Sequence, residues 1–275
     1  MKFYKLNGTG NDFIIIDNMD GTLDAQTLAG MARKLCERHM SIGADGLMAV
    51  ARSDKADFKM EFFNSDGSAG EMCGNGARCI CRYGYEMGLS GETQTVETAS
   101  GAVTGQRIDK RHYRIRLTDP TAVKPDCAVE LDGVRYECGY VELGNPGLPH
   151  AVIPMPGLRQ TEPRQLFELA RRLRFHPVFP KGANVNFYEP VGGNRVFERT
   201  YERGVEDFTY ACGTGTASVA LILTLKGFSS GSGFTADMAG GRLTVDVARE
   251  GEATALYLTG PTNIVAAGEI LDEEL

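Results

Sequence analysis

The sequence has no apolar run approaching the roughly 18 uninterrupted residues of a membrane-spanning helix. Its first residues, MKFYKLNGTGNDF, carry neither the apolar block nor the small-residue cleavage site of a secretory signal. No membrane partner is expected, and the protein is placed in the cytoplasm. Positive charge is also short: 29 Lys plus Arg stand against 36 Asp plus Glu, a net −7. Counterion release from a nucleic-acid backbone needs the opposite balance, so nucleic acid is not an expected partner. There is no Cys-x-x-Cys pair, and the four histidines (His39, His112, His150, His176) form no ligand-like cluster, so no metal is expected. A Walker-type phosphate loop and a strand-linked dinucleotide fingerprint are both missing, and no cofactor is expected.

What is present describes a folded chain of ordinary composition, 42% apolar and 24% charged over 275 residues. That length exceeds the usual single compact domain and favours two lobes. Seven cysteines (Cys36, Cys73, Cys79, Cys81, Cys127, Cys138, Cys212) are an odd number spread along the chain, which suits reduced thiols better than a disulfide framework.

Short β-branched and aromatic runs, among them residues 13–17, 58–63, 95–98, 113–117, 151–153, 243–247 and 255–258, are bounded by Gly, Pro, Asn or Asp. They read as strands of a mainly antiparallel or mixed sheet. Residues 28–39 and 163–173 have apolar positions at helical spacing and read as amphipathic surface helices. Residues 77–87 and 216–225 read as helices of another kind. The second, TASVALILTL, is apolar almost all round and belongs inside a lobe.

These two inner helices are introduced by one pattern, Cys73-Gly-Asn-Gly-Ala77 and Cys212-Gly-Thr-Gly-Thr216, half a chain apart. Two copies at that spacing indicate duplication rather than a solenoid. The expected fold class is α+β, with two pseudo-symmetric lobes, each a curved sheet around a central helix. The boundary is expected in the polar, proline-bearing stretch Thr118–Asp126. The lobes would then be 1–120 with Cys73 and 121–261 with Cys212, and the segment of about 262–275 would return to the first.

Glycines before a helix permit close backbone approach, and the first-turn N–H groups have no intrahelical acceptor, so each Cys-Gly-x-Gly offers a carboxylate site. The same helix end favours thiolate over thiol. If the lobes face one another, Cys73 and Cys212 would look across a cleft at one carbon, one as thiolate base and the other as thiol acid, which is what stereoinversion requires. Cys36, Cys79, Cys81, Cys127 and Cys138 read as small buried hydrophobes.

The segments Gly8-Thr-Gly-Asn-Asp-Phe13, Phe63-Asn-Ser-Asp-Gly-Ser68, Glu71-Met-Cys-Gly-Asn-Gly-Ala-Arg-Cys79, Gly182-Ala-Asn-Val-Asn186, Tyr201-Glu-Arg-Gly204 and Ala211-Cys-Gly-Thr-Gly215 resemble, in that order, those of the diaminopimelate epimerase family. The resemblance implies a cofactor-independent amino-acid epimerase or racemase (an isomerase) of two pseudo-symmetric lobes, acting in lysine and cell-wall precursor synthesis. It implies Cys73 and Cys212 as the acid/base pair, and His150 and Glu202 beside the catalytic centre. Gly74, Asn75, Gly213 and Thr214 would offer donors to the reacting carboxylate. Asn11, Asn64 and Asn184 would bind substrate, and Arg203 its distal carboxylate. Two positions depart from the family's pattern: Leu148, two before His150, stands where an Asn is common, and Gly46 stands where some members carry a side-chain amide. The expected partner is a small amino acid, with a homodimer as the assembly. A racemase for another polar amino acid such as histidine, or a non-catalytic carboxylate-binding protein, are the other readings.

Overall fold

The computed structural model describes residues 1–70 and 73–271. Its chain divides into two units, one of Met1–Ile115 joined by the segment from Gly260, the other of Arg116–Thr259. The first unit contains β1 (Lys2–Gly8), β2 (Asn11–Asp17), α1 (Ala25–Leu35), β3 (Gly46–Ala51), β4 (Phe58–Asn64), α2 (Gly74–Glu86), β5 (Thr93–Thr98), β6 (Gly101–Arg107) and β7 (His112–Arg116). The second contains β8 (Pro120–Leu131), β9 (Val134–Leu143), β10 (Leu148–Pro154), α3 (Pro163–Arg174), β11 (Asn184–Gly192), β12 (Arg195–Glu202), the short β13 (Asp207–Phe208), α4 (Gly213–Leu225), β14 (Phe234–Met238) and β15 (Gly241–Glu250). Strand β16 (Ala253–Pro261) crosses the boundary, and β17 (Asn263–Glu269) lies in the first unit.

In the first unit the paired strands run β17-β1-β2-β3-β4-β5-β6-β7, with β2–β3 and β4–β5 parallel and every other neighbour antiparallel. In the second they run β8-β9-β10-β11-β12-β14-β15-β16, with β10–β11 and β12–β14 parallel and the rest antiparallel. The two orders match strand for strand. The last strand of the chain thus takes in the first unit the place that β8 takes in the second. An outer helix, α1 or α3, makes the first parallel crossover, and an inner helix, α2 or α4, the second. The fold is α+β, two pseudo-symmetric lobes each with a mixed sheet around a central helix.

The inner helices are buried almost throughout, α2 from Gly74 to Gly84 and α4 from Thr216 to Leu223. Helix α2 packs on β1, β2 and β6, and α4 on the equivalent β9, β10 and β15. Strand β2 is buried on both faces, Ile14 and Ile16 against Leu28, Met31 and Ala32 of α1. That double burial is why it reads as a continuous apolar run rather than an alternating one.

Local chemistry sets the helix bounds and moves some from their expected places. Helix α1 starts earlier than 28 because Asp24 caps it, its Oδ1 accepting from Thr27 N at 2.8 Å. Helix α3 begins at Pro163, where the expected helix of 163–173 begins, and a Glu162/Gln165 capping box opens it. Helices α2 and α4 take in the glycines expected to precede them, and Cys73 and Cys212 are their N-caps. The stretch expected as a linker, Thr118–Asp126, is largely strand β8. Its prolines are tolerated because β8 pairs only with β9.

Candidate active site

Three positions are equivalent between the units: the first residue of the strand before the outer helix (β2 or β10), the last residue of β4 or β12, and the N-cap of the inner helix. In the first unit these are Asn11, Asn64 and Cys73; in the second, Leu148, Glu202 and Cys212. Gly46 pairs with both Phe13 and Asn64, as Asn184 pairs with His150 and adjoins the Tyr201–Val185 pair, so Asn184 is the counterpart of Gly46.

In the first unit, Cys73 is half-buried and its carbonyl accepts from Ala77 N at 2.8 Å. Glu71 and Met72 of the motif lie outside the described residues. A buried polar relay lies behind the helix start. Asn11 donates to Asp45 Oδ2 at 3.0 Å and accepts from Asn75 Nδ2 at 2.7 Å. Asn75 Oδ1 in turn accepts from Arg78 Nη2 at 2.8 Å, and Arg78 also donates to Thr9 Oγ1 (2.9 Å) and to the Gly74 carbonyl (3.3 Å). Arg78 is fully buried; desolvation draws it down to about 10, so it keeps its charge at neutral pH, and it is electrostatically coupled to Cys73. Asn64 stands at the end of β4, its Nδ2 donating to Ser68 Oγ at 3.0 Å. The Gly76 position exists for packing: a Cβ there would lie 2.5 Å from Met48 Cε. Gly46 has no room for the side-chain amide either, since a Cβ would meet Phe62 Cε2 at 2.5 Å and the Phe63 carbonyl at 2.6 Å.

In the second unit, Cys212 is buried, and its Sγ accepts from Gly215 N at 3.4 Å and lies 3.5 Å from Thr214 Oγ1. The helix start was expected to favour its thiolate. Burial outweighs that: desolvation pushes the thiol well up, the Glu202 charge adds to the rise, and the bonds from Thr214 and Gly215 offset only part of it. Glu202 Oε1 accepts from Thr209 Oγ1 at 2.6 Å. Asn184 commits its amide to neighbouring backbone, accepting from Arg203 N (2.8 Å) and donating to the Pro149 carbonyl (3.2 Å), which holds Arg203 at the end of β12. The Arg203 guanidinium donates to the Lys181 carbonyl at 3.2 Å and is half-exposed. His150 is fully buried. Its Nδ1 lies 3.3 Å from Asn186 Nδ2, which leaves the ring proton on Nε2, an atom without a hydrogen-bond partner among the described residues. Burial pulls His150 down to about 3, so at neutral pH it offers a hydrogen bond and no charge.

Asn186, Thr200 and Glu198 extend this polar layer, and sequence reasoning passed over all three. Asn186 Oδ1 accepts from Thr200 Oγ1 at 3.0 Å, and Thr200 Oγ1 lies 3.3 Å from Glu198 Oε1. A Cβ on Gly215 would meet Asn186 Oδ1 at 2.2 Å, so this glycine too is a packing requirement. Glu198 is fully buried, and desolvation raises it to about 8, so it is protonated at neutral pH. The period of two was the available signal: Asn184 and Asn186, and Glu198, Thr200 and Glu202, each share one face of a strand. Arg78 and Asp45 in the first unit were likewise missed; α2 carries two buried arginines, Arg78 and Arg82, and nothing local sets Arg78 apart. Among the described residues no group of three or more His, Cys, Asp or Glu is placed to hold a metal ion, and no helix is long and apolar enough to cross a membrane.

Comparison with known proteins agrees with this geometry. The family model described as diaminopimelate epimerase matches residues 3–123 and 143–265. Among similar sequences are diaminopimelate epimerases of Aquifex aeolicus, 38% identical over 100% of this chain and 99% of the relative, and of Archaeoglobus fulgidus, 36% identical over 99% and 97%. Among solved structures, a Bacillus anthracis phenazine biosynthesis protein of the PhzF family superposes with a TM-score of 0.75 at 17% identity, covering 98% of this chain and 99% of that one. A hydroxyproline epimerase from Agrobacterium vitis, with bound trans-4-OH-L-proline, superposes with a TM-score of 0.68 at 19% identity, covering 100% and 93%. These two share the fold.

Proposed function

The chain belongs to the diaminopimelate epimerase family, and we propose that it interconverts LL- and meso-diaminopimelate in the cytoplasm through a two-cysteine acid/base mechanism. The observation that carries this reading is the pair of helix-capping cysteines at equivalent places in two matching units, Cys73 on α2 and Cys212 on α4. Inversion needs a base on one face of the α-carbon and an acid on the other. Arg78 supplies positive charge to Cys73, whereas burial and Glu202 keep the proton on Cys212. Cys73 is accordingly the resting thiolate and Cys212 the resting acid; one turnover exchanges these states, and proton exchange with solvent restores them before the next forward turnover. The first-turn N–H groups of Gly74, Asn75, Gly213 and Thr214 receive the reacting carboxylate. Asn11 and Asn64 take the substrate's polar groups, with Asn184 holding Arg203 in place. The Arg203 fork suits the distal carboxylate. Neutral His150 and the Glu202 carboxylate border the centre and bind rather than shuttle the α-proton.

Incubation in deuterium oxide with LL-diaminopimelate, lysine or histidine, followed by NMR of the α-proton, tests this. Exchange with diaminopimelate at least about tenfold faster than with lysine is expected, since lysine forfeits a charge-assisted pair of roughly 1.5–3 kcal/mol. A preference for histidine would overturn the substrate, and exchange that persists without Cys73 would overturn the mechanism. The proposal includes a homodimer, which light scattering checks.

A further inference from the structure

Strands β8 and β9 form a long antiparallel hairpin whose register shifts twice, between Pro120 and Ala122 and again between Lys124 and Cys127. Before the second shift Lys124 faces Tyr140; after it Cys127 faces Cys138. Pro125 and Asp126 thus oppose the single residue Gly139, a β-bulge at a proline that has no ladder donor to give. Without this second shift in register, Cys127 would fall opposite Glu137. The bulge therefore makes the two cysteines direct cross-strand neighbours, at a separation compatible with a disulfide. Their sulfurs touch, Sγ to Sγ at 2.7 Å, and both thiols are free. Gly139 in turn is pressed against α4, where a Cβ would meet Ile222 at 2.8 Å, so the hairpin is anchored at this point.

The two thiols are chemically unequal. Cys127 is half-buried and Cys138 is 1% exposed in the outer core. The bond from Cys138 lowers Cys127 against its own desolvation, and Lys124 and Lys226 add attraction for its thiolate. Lys226 is held there by Asp126 at 2.9 Å. Cys138 is pushed up correspondingly by the same contact. One thiol is thus reachable and inclined to ionise, and its partner is buried beside it, as an attacking and a resolving cysteine must be.

We propose that Cys127 and Cys138 are a dithiol modification site that takes two-electron oxidants of the peroxide class and closes to a reversible disulfide across β8 and β9. The Cys127 thiolate attacks one peroxide oxygen, the O–O bond breaks, and Cys127 sulfenic acid forms as hydroxide leaves and takes up the proton that the Cys127 thiol released on ionising, giving the first water. The Cys138 sulfur then attacks the sulfenic sulfur, the S–S bond forms as S–O breaks, and its proton leaves with the second water. Two thiols lose two electrons in all, and peroxide is reduced to two waters. An external thiol restores the pair by exchange.

Trypsin cuts between the two cysteines at Arg135 and leaves Lys124-Pro125 intact, so Cys127 lies in peptide 117–135 and Cys138 in 136–159. The whole protein is treated with one equivalent of hydrogen peroxide, alkylated under denaturing conditions and digested without reductant. A linked species two hydrogens lighter than the two peptides combined is expected, disappearing on reduction. Dimedone should label Cys127 in Cys138→Ser and leave Cys138 unlabelled in Cys127→Ser. Both peptides recovered singly alkylated, or either cysteine joined instead to another thiol, would overturn the proposal; dimedone on Cys138 alone would overturn the assigned order of attack.

Discussion

The starts of α2 and α4 are built from the same five-residue pattern, yet their surroundings have opposite electrical character. Behind Cys73 lies a buried cation, Arg78, tied through Asn75 and Asn11 to Asp45. Around Cys212 lie Glu202 and the protonated carboxyl of Glu198, and the neutral His150 joins the polar layer of this unit through Asn186. The equivalent strand positions diverge in the same way, Asn11 against Leu148 and Asn64 against Glu202. A duplicated scaffold has kept its backbone and the cysteine, and has changed the charge around it. On the proposed mechanism, that asymmetry sets which cysteine rests as the base and which as the acid.

Removing either sulfur is the strongest test of this comparison. Cys73→Ala and Cys212→Ala are each expected to lower kcat by about 10²–10⁴-fold, with circular dichroism unchanged. If only one of the two collapses activity, the ends are not partners in one reaction. The charge difference is sharpened by iodoacetamide under limiting conditions with peptide mapping. Cys73 is expected to react at least about tenfold faster than Cys212, because only thiolate attacks and Cys212 is both buried and raised; equal rates would erase the asymmetry.

The Asn11/Leu148 divergence leads to an exchange of residue types. Asn11→Leu leaves Asn75 and Asp45 each short of a partner and is expected to cost about 1–3 kcal/mol of stability and most of the activity. Leu148→Asn, at a half-buried strand start, is expected to change stability by less than about 1 kcal/mol. Urea unfolding of the two variants checks this, and equal losses would mean the positions are equivalent after all.

The smallest expected effect is on pH dependence, and it belongs to the second unit. Glu198 is raised from 4.5 to about 8, so its contribution is complete below pH 4.5 and lost as pH rises toward 8. His150 is lowered from 6.5 to about 3, so its contribution is present above 6.5 and lost as pH falls toward 3. Between 4.5 and 6.5 the two oppose each other. Unfolding free energies from urea titrations of Glu198→Gln are expected to fall less than the parent's from pH 6.5 to 8, by roughly 1–2 kcal/mol. An unchanged slope would show that Glu198 ionises freely in the folded protein.

Much of this was legible in the residues. The repeated Cys-Gly-x-Gly marked two inner helices, the apolar run of α4 marked burial, and apolar residues at helical spacing marked α3, because each signal is local and spans a few turns of chain. Asn11, Asn64, Asn184, Glu202 and Arg203 came from motif resemblance, and the fold sets each at a strand end or in the turn that follows. Contacts between distant segments were not legible. Nothing local distinguishes Arg78 from a surface arginine, or Glu198 from a solvated glutamate, until α2 and α4 close over them and desolvation alters their ionisation. The facing of Cys127 and Cys138 depends on a one-residue bulge, and strand register has no signature in composition. The helix-end effect on Cys212 was foreseeable from sequence, but the larger effect of burial was not, since burial is a property of the packed fold. Sequence alone determined which residue types stand at the helix starts; only the tertiary structure decided which charges surround them, because that depends on what the sheets bring within a few ångströms.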